Sequence, residues 1–183
     1  SQANEMMFLS YLEDKLPKEV LRDMYAKLYY GQLEDMLNII MLASAVDEFE
    51  YCVYNGVTPS GEAKTYTKND YDTLFTSILS LYGLGSGSSN YWRSVAIRSS
   101  GYYISYAMSA LPCIELLAIA ETEGFEVAQS KYLKFFTFTD NEANVEYDEM
   151  GDKIVKIGYA DTLKYVGLDS VFEESMYTKI NTY

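Results

Sequence analysis

The sequence contains no histidine. That removes Ser/His and Cys/His nucleophile pairs and every His-ligated metal site. Any chemistry must then rest on carboxylates, tyrosines or lysines. Cysteine is almost as scarce, with only Cys52 and Cys113. Their settings, FEYCVY and LPCIEL, read as apolar helix, so both are expected to be buried free thiols in a reducing compartment. Neither has a metal-ligand spacing, and no metal or cofactor is expected in this chain. Basic residues are also few: 14 Lys and Arg stand against 27 Asp and Glu, a net charge of −13. Phosphate recognition needs clustered cations, so nucleic acid is excluded as a partner, and an anionic membrane surface with it. Peptides and small basic ligands stay open. Long apolar runs are missing too: the most apolar segment, MSALPCIELLAIA at 108–120, contains Glu115 and falls short of the ~20 residues of a membrane span. No basic stretch followed by an apolar one opens the chain, so no signal peptide is read and the expected location is cytoplasmic.

What is present is a chain of 183 residues, 49% apolar and 22% charged, long enough for a single helical domain over 1–183 with a core of its own. SQANEMMFLSYLEDKL (1–16) has apolar residues at helical spacing. It begins without a cap, which suggests an element continued from upstream and a fragment of a larger chain. Pro17 suits the first position of a second helix, expected to run to Asn55 and stop at Gly56, with a kink at Gly31. A loop over 57–67 precedes Thr67 and Asp70, which match a capping box for a helix ending at Gly83. A Gly/Ser-rich connector (84–90) leads to a helix from Tyr91, with a kink or break at Pro112 and an end at Gly124. Another helix follows from Phe125. Alternation on both sides of EMGD predicts a small β-hairpin at 144–158. Two short helices close the chain, at 159–167 and at 169–180, the latter capped by Asp169. The fold class is therefore all-α with one small hairpin.

The stretch YWRSVAIRSSGYYISYAMSALP (91–112) concentrates tyrosines at Tyr102, Tyr103 and Tyr106. At helical spacing Tyr102 and Tyr106 share a face, and Tyr103 lies beside Tyr106. Their hydroxyls can line a binding site, or the rings can pack in a core with hydroxyls at its rim. Arg93 and Arg98 can hold a carboxylate or pair with surface acids, and Trp92 reads as a core anchor.

Four segments, in order, resemble the C-terminal part of zinc peptidases of the oligoendopeptidase F and thimet oligopeptidase type. SQANEMMFLSYL is similar to the helix after the third zinc ligand, where Ser, three further residues and Glu-Met recur. DEFEYCVYNG with TKNDYDTLFTSILSLYG resembles a paired helix–loop–helix, and YYISYAMSAL a tyrosine-rich helix. EGFEVAQSKYLKFF with YADTLKYVGLD resembles the closing helices. The resemblance spans nearly the whole chain apart from 139–158. It implies a mostly helical, zincin-like peptidase in which a His-Glu-x-x-His helix supplies two zinc ligands and the general base. A peptide channel is implied between helical halves, and a His with one or more Tyr would stabilise the oxyanion there.

This chain departs from that pattern in two ways. It has no His-Glu-x-x-His, and Glu5 matches a glutamate beyond the metal rather than a ligand. The window for the oxyanion His holds Val95, Ala96 or Ile97, none of which donates a hydrogen bond from its side chain. The resemblance thus implies that zinc belongs to an active full-length parent. In this chain it implies no catalytic residue, with Tyr102, Tyr103 and Tyr106 as candidate substrate-binding residues. Implied partners are a peptide substrate, the upstream catalytic region of the same protein, and a second copy bound through an exposed apolar face. Two alternatives stand beside it: a non-catalytic, degenerate relative, and a stand-alone helical module that binds a protein or peptide.

Overall fold

In the computed structural model, which describes residues 2–20, 24–85 and 89–182, the chain is all-α with one two-stranded hairpin. Ser1, residues 21–23 of the helix expected from Pro17, and residues 86–88 of the Gly/Ser connector lie outside the described residues. The helices are α1 (Gln2–Lys15), a short α2 (Lys18–Val20), α3 (Ala26–Asn55), α4 (Tyr71–Leu81), α5 (Ile104–Thr122), α6 (Phe125–Thr137), α7 (Tyr159–Val166) and α8 (Glu174–Thr182). Strands β1 (Val145–Tyr147) and β2 (Lys153–Val155) pair antiparallel, with Val145 opposite Val155 and Tyr147 opposite Lys153. The hairpin therefore stands inside the expected 144–158. Its turn is built by Asp148, whose Oδ1 accepts from the N–H groups of Met150 and Asp152, at 2.9 and 2.8 Å.

Contacts divide the chain into two compact units: Ser1–Gln32 with Leu111–Tyr183, and Leu33–Ala110. We call them unit 1 and unit 2. In unit 1, α6 packs against α1 and α7. The buried side chains include Met6, Leu9, Leu116, Leu117, Ala128, Leu163, Val166 and Met176. Glu115 sits among them, fully buried in α5. It accepts the Asp169 N–H with both oxygens and the Lys179 ammonium at 3.0 Å. Lys179 also pairs with Asp169 at 2.9 Å. Those commitments explain why α8 begins at Glu174 rather than at 169. Asp169 gives its carboxylate to Lys179 and its N–H to Glu115, so residues 169–173 form a turn around the ion pair instead of a helix start.

Unit 2 has an aromatic core. Phe49 of α3 meets Phe75 of α4 edge-on at 5.3 Å and Trp92 at 5.9 Å, while Tyr71 meets Trp92 at 5.2 Å. The Trp92 indole N–H donates to Asp72 at 2.6 Å, which satisfies the ring's polar atom. Asp70 reaches back to accept from the Thr67 N–H and hydroxyl, at 2.8 and 2.6 Å, so the expected Thr67–Asp70 pair does mark the helix start. The helix proper begins at Tyr71, with residues 68–70 as a turn.

α3 continues through Gly31, and α5 continues through Pro112 rather than dividing there. The lost amide hydrogen of Pro112 is outweighed by burial along Pro112–Ile119. The helix expected from Tyr91 instead breaks at 98–103, where Gly101 adopts φ +68°. Among the described residues α5 is also the one helix long and apolar enough to cross a membrane, with mean hydropathy 1.4 over an 18-residue window. Glu115 interrupts the apolar run in the sequence but does not lower the window average enough.

Helix α7 ends on Gly167, φ +86°, whose N–H donates to Leu163 O at 3.0 Å, followed by Leu168 N–H to the same oxygen at 2.9 Å. This is a left-handed glycine cap. A Cβ there would meet the Lys131 ammonium at 2.9 Å, but that side chain can swing away, so backbone strain dominates. Gly167→Ala is expected to lower stability by about 1–2 kcal/mol. Urea unfolding of the intact chain measures this, and an unshifted midpoint would contradict the left-handed cap.

Candidate functional site

The three tyrosines singled out by sequence come together in unit 2, but not all on a helix. Tyr102 and Tyr103 lie in the turn before α5, and Tyr106 in its first turn. The Tyr106 ring meets Tyr102 at 5.4 Å and Tyr103 at 5.3 Å, both edge-on. Tyr102 is 54% exposed, and Tyr103 and Tyr106 are half-buried. Tyr103 packs against the core of unit 2, whereas Tyr102 faces solvent.

The turn is held from α3. Both carboxylate oxygens of Glu50, 5% exposed, accept the Gly101 N–H at 3.1 Å, and the Tyr54 hydroxyl bonds the Ser100 hydroxyl at 2.6 Å. A buried carboxylate that accepts a backbone N–H satisfies the turn and fixes where the tyrosines begin. The hydroxyls of Tyr91 and Tyr103 lie 3.3 Å apart. The hydrogen bond with Tyr91, then burial and the neighbouring phenols, push Tyr103 up to about 12. Tyr106 is raised by its hydrogen bond with Tyr102 and by that phenol's charge. At neutral pH these are phenols that can donate a hydrogen bond, and they do not act as bases. Beside them Tyr91 also lines a mostly apolar hollow of about 400 Å³ with Leu42, Leu79 and Leu84, and with Asp35 and Asn38 contributing polar groups.

Tyr91 and Glu50 were not among the sequence-derived site residues. The signal for Glu50 was an acid inside the apolar run EFEYCVY, but its partner lies 51 residues away. Arg93 takes the surface role, 3.9 Å from Asp72 and over the Trp92 ring at 5.2 Å. Arg98 is exposed. In the window resembling the oxyanion histidine, Val95 and Ala96 are buried in the core and Ile97 is 66% exposed. Glu5 accepts from the Gln32 side-chain amide.

The residues present do not fit the zinc of the resembled enzymes. The chain has no histidine, and among the described residues no three Cys, Asp or Glu side chains gather where one ion could be held. No protein-family model matches the chain, and no curated protein or solved structure matches it either.

Proposed function

We propose that this chain is the C-terminal helical part of an oligoendopeptidase-like zinc peptidase, in which its tyrosine cluster forms part of the wall of a peptide channel. One observation carries the reading. Tyr102, Tyr103 and Tyr106, the residues that resemble the tyrosine-rich helix, form one cluster of phenols, with Tyr102 open to solvent. The apolar hollow at Tyr91 adds room for a side chain of the bound peptide. In this reading zinc and the general base belong to an upstream region of the same protein, and the chain alone hydrolyses nothing.

A second reading, a parent that binds peptides without cleaving them, is favoured by the burial of Val95 and Ala96 where the resembled enzymes carry a histidine. A quenched fluorescent peptide is expected to stay intact with the chain, with or without EDTA, and elemental analysis to find no stoichiometric zinc. EDTA-sensitive turnover would overturn the inactive assignment. Unstructured peptides titrated in an NMR experiment are expected to shift the resonances of Tyr102, Tyr103 and Tyr106. Shifts confined to other residues would remove the channel-wall assignment.

A further inference from the structure

Unit 1 contains a second aromatic cluster. Tyr25 immediately precedes α3, and Tyr29 and Tyr30 lie in its first turns. Tyr25 and Tyr29 stand 5.6 Å apart with their planes 36° apart, and Tyr30 meets Tyr29 at 5.6 Å and 88°. With Glu13 of α1 and Glu121 of α5 these rings line an open cavity of about 290 Å³. That is at or below the ~300–1,000 Å³ of sites for drug-sized ligands, a size suited to a single head group.

The chemistry of the lining has one sign. Among the described residues it contains two carboxylates and three electron-rich ring systems, and no lysine or arginine. The Tyr25 hydroxyl donates to Glu13 at 3.0 Å. Glu121 is pushed above the usual carboxylate range by burial, then by the charge of Glu13 and the hydrogen bond between them. The two carboxylates line the same cavity, and the negative charge of Glu13 disfavours the ionised form of Glu121. Tyr29 adds a further, independent observation. It is only 9% exposed and lines the cavity, and its buried hydroxyl has no hydrogen-bond partner among the described residues. Buried phenols ordinarily find one.

We propose that this cavity binds an organic monocation, the ammonium, guanidinium or quaternary ammonium head of a small ligand or basic side chain. Ring faces attract such a head through their quadrupoles, and the paired carboxylates supply the countercharge. The perpendicular Tyr29–Tyr30 corner gives two walls at once. Strongly hydrated inorganic cations gain little from ring faces, so the site discriminates by hydration as well as by charge. The inference stands on unit 1 alone and is independent of the peptidase reading.

The test is a titration of the intact chain with tetramethylammonium, N-acetylarginine amide and N-acetyllysine amide, followed by tyrosine ring resonances in NMR at constant ionic strength. Sodium chloride and the neutral isostere 2,2-dimethylpropanol serve as controls. Saturable shifts at Tyr25, Tyr29 and Tyr30 are expected for at least one cation and for neither control. Saturation by tetramethylammonium alone assigns a quaternary head, and saturation by an amide assigns a basic side chain. Tyr30→Ala and Glu121→Gln, both at exposed positions, are each expected to weaken binding by about threefold to tenfold. Circular dichroism checks that each variant is folded; if one is not, the other carries the comparison. Linear shifts that match sodium chloride, or wild-type affinity in a folded variant, would overturn the proposal.

Discussion

Phe75→Ala is expected to destabilise the chain by about 3–5 kcal/mol, the usual cost of truncating a fully enclosed aromatic residue. Phe75 is 0% exposed and sits on the apolar face of α4, with its ring against Phe49 and, through Phe49, the Trp92 indole. Truncation removes the ring's own burial. It also leaves a void lined by Phe49, Ile78 and their neighbours, and a close-packed core cannot collapse fully into such a void. Phe75→Leu keeps most of the volume and is expected to cost about 1 kcal/mol. Trp92 is the only tryptophan, so its fluorescence reports the unfolding of unit 2 specifically. The alanine variant should lower the denaturant midpoint of that signal far more than the leucine variant. Equal midpoints for the two would mean that the ring is not enclosed as described.

Lys179→Met is expected to cost about 3 kcal/mol at neutral pH, through the charge it strands rather than the contact it removes. Glu115 is 0% exposed, and among the described residues Lys179 is the one side chain shown hydrogen-bonded to it. A buried carboxylate left without its cation typically costs ~3–5 kcal/mol, and the 45% exposure of the Lys179 side chain places this case at the lower end. The pH dependence gives the prediction its signature. Burial already raises Glu115 above the usual carboxylate range, opposed by Lys179 and the Asp169 N–H. Without Lys179 it rises further. A carboxyl raised on folding favours the native state below its unfolded pKa, and that advantage is lost as pH rises through the folded value. The variant should therefore recover part of its stability as pH falls toward about 4. Asp169 responds in the opposite sense. Burial pushes it up, but its bonds to Lys179 and Ser175 and the charges of Lys179 and Lys131 outweigh that and leave it low. In the wild type it favours folding at neutral pH, and that contribution fades on acidification. The gap between the two proteins should thus be widest near neutrality and narrow in acid. Thermal melts across that range measure it, and a constant gap would count against the buried pair.

Most of the helices were legible in the sequence because their signals are local. The apolar spacing of 1–16, the stop at Asn55 and Gly56, the start at Phe125 and the alternation around EMGD all correspond to observed elements. What was not legible depends on partners far along the chain. Nothing near Asp169 indicates that Glu115, 54 residues away, takes its N–H, and so α8 starts later than its cap signal suggests. Likewise Gly101 looks like a minor interruption until Glu50 is placed over it. Pro112 does not divide its helix for the converse reason: a strong local breaker is overruled by burial along Pro112–Ile119. For the candidate site, the tyrosine triplet was visible as composition. The assembly of Tyr25, Tyr29 and Tyr30 with Glu13 and Glu121 was not, because three separate helical segments contribute to it.

The two cysteines, one in each unit, have a further consequence. Cys52 and Cys113 are 1% and 5% exposed, and neither is in a disulfide. Burial, with the charge of Glu48, holds the Cys52 thiol above its ordinary value, and burial pushes Cys113 up to about 12. A thiol reagent attacks the thiolate, so neither residue reacts while its surroundings stay closed. Labelling in native buffer then proceeds only through transient opening, and the two sulfurs keep separate time. The chain carries, without any engineering, one chronometer for the breathing of each unit, and mass spectrometry of the two cysteine peptides can read both at once.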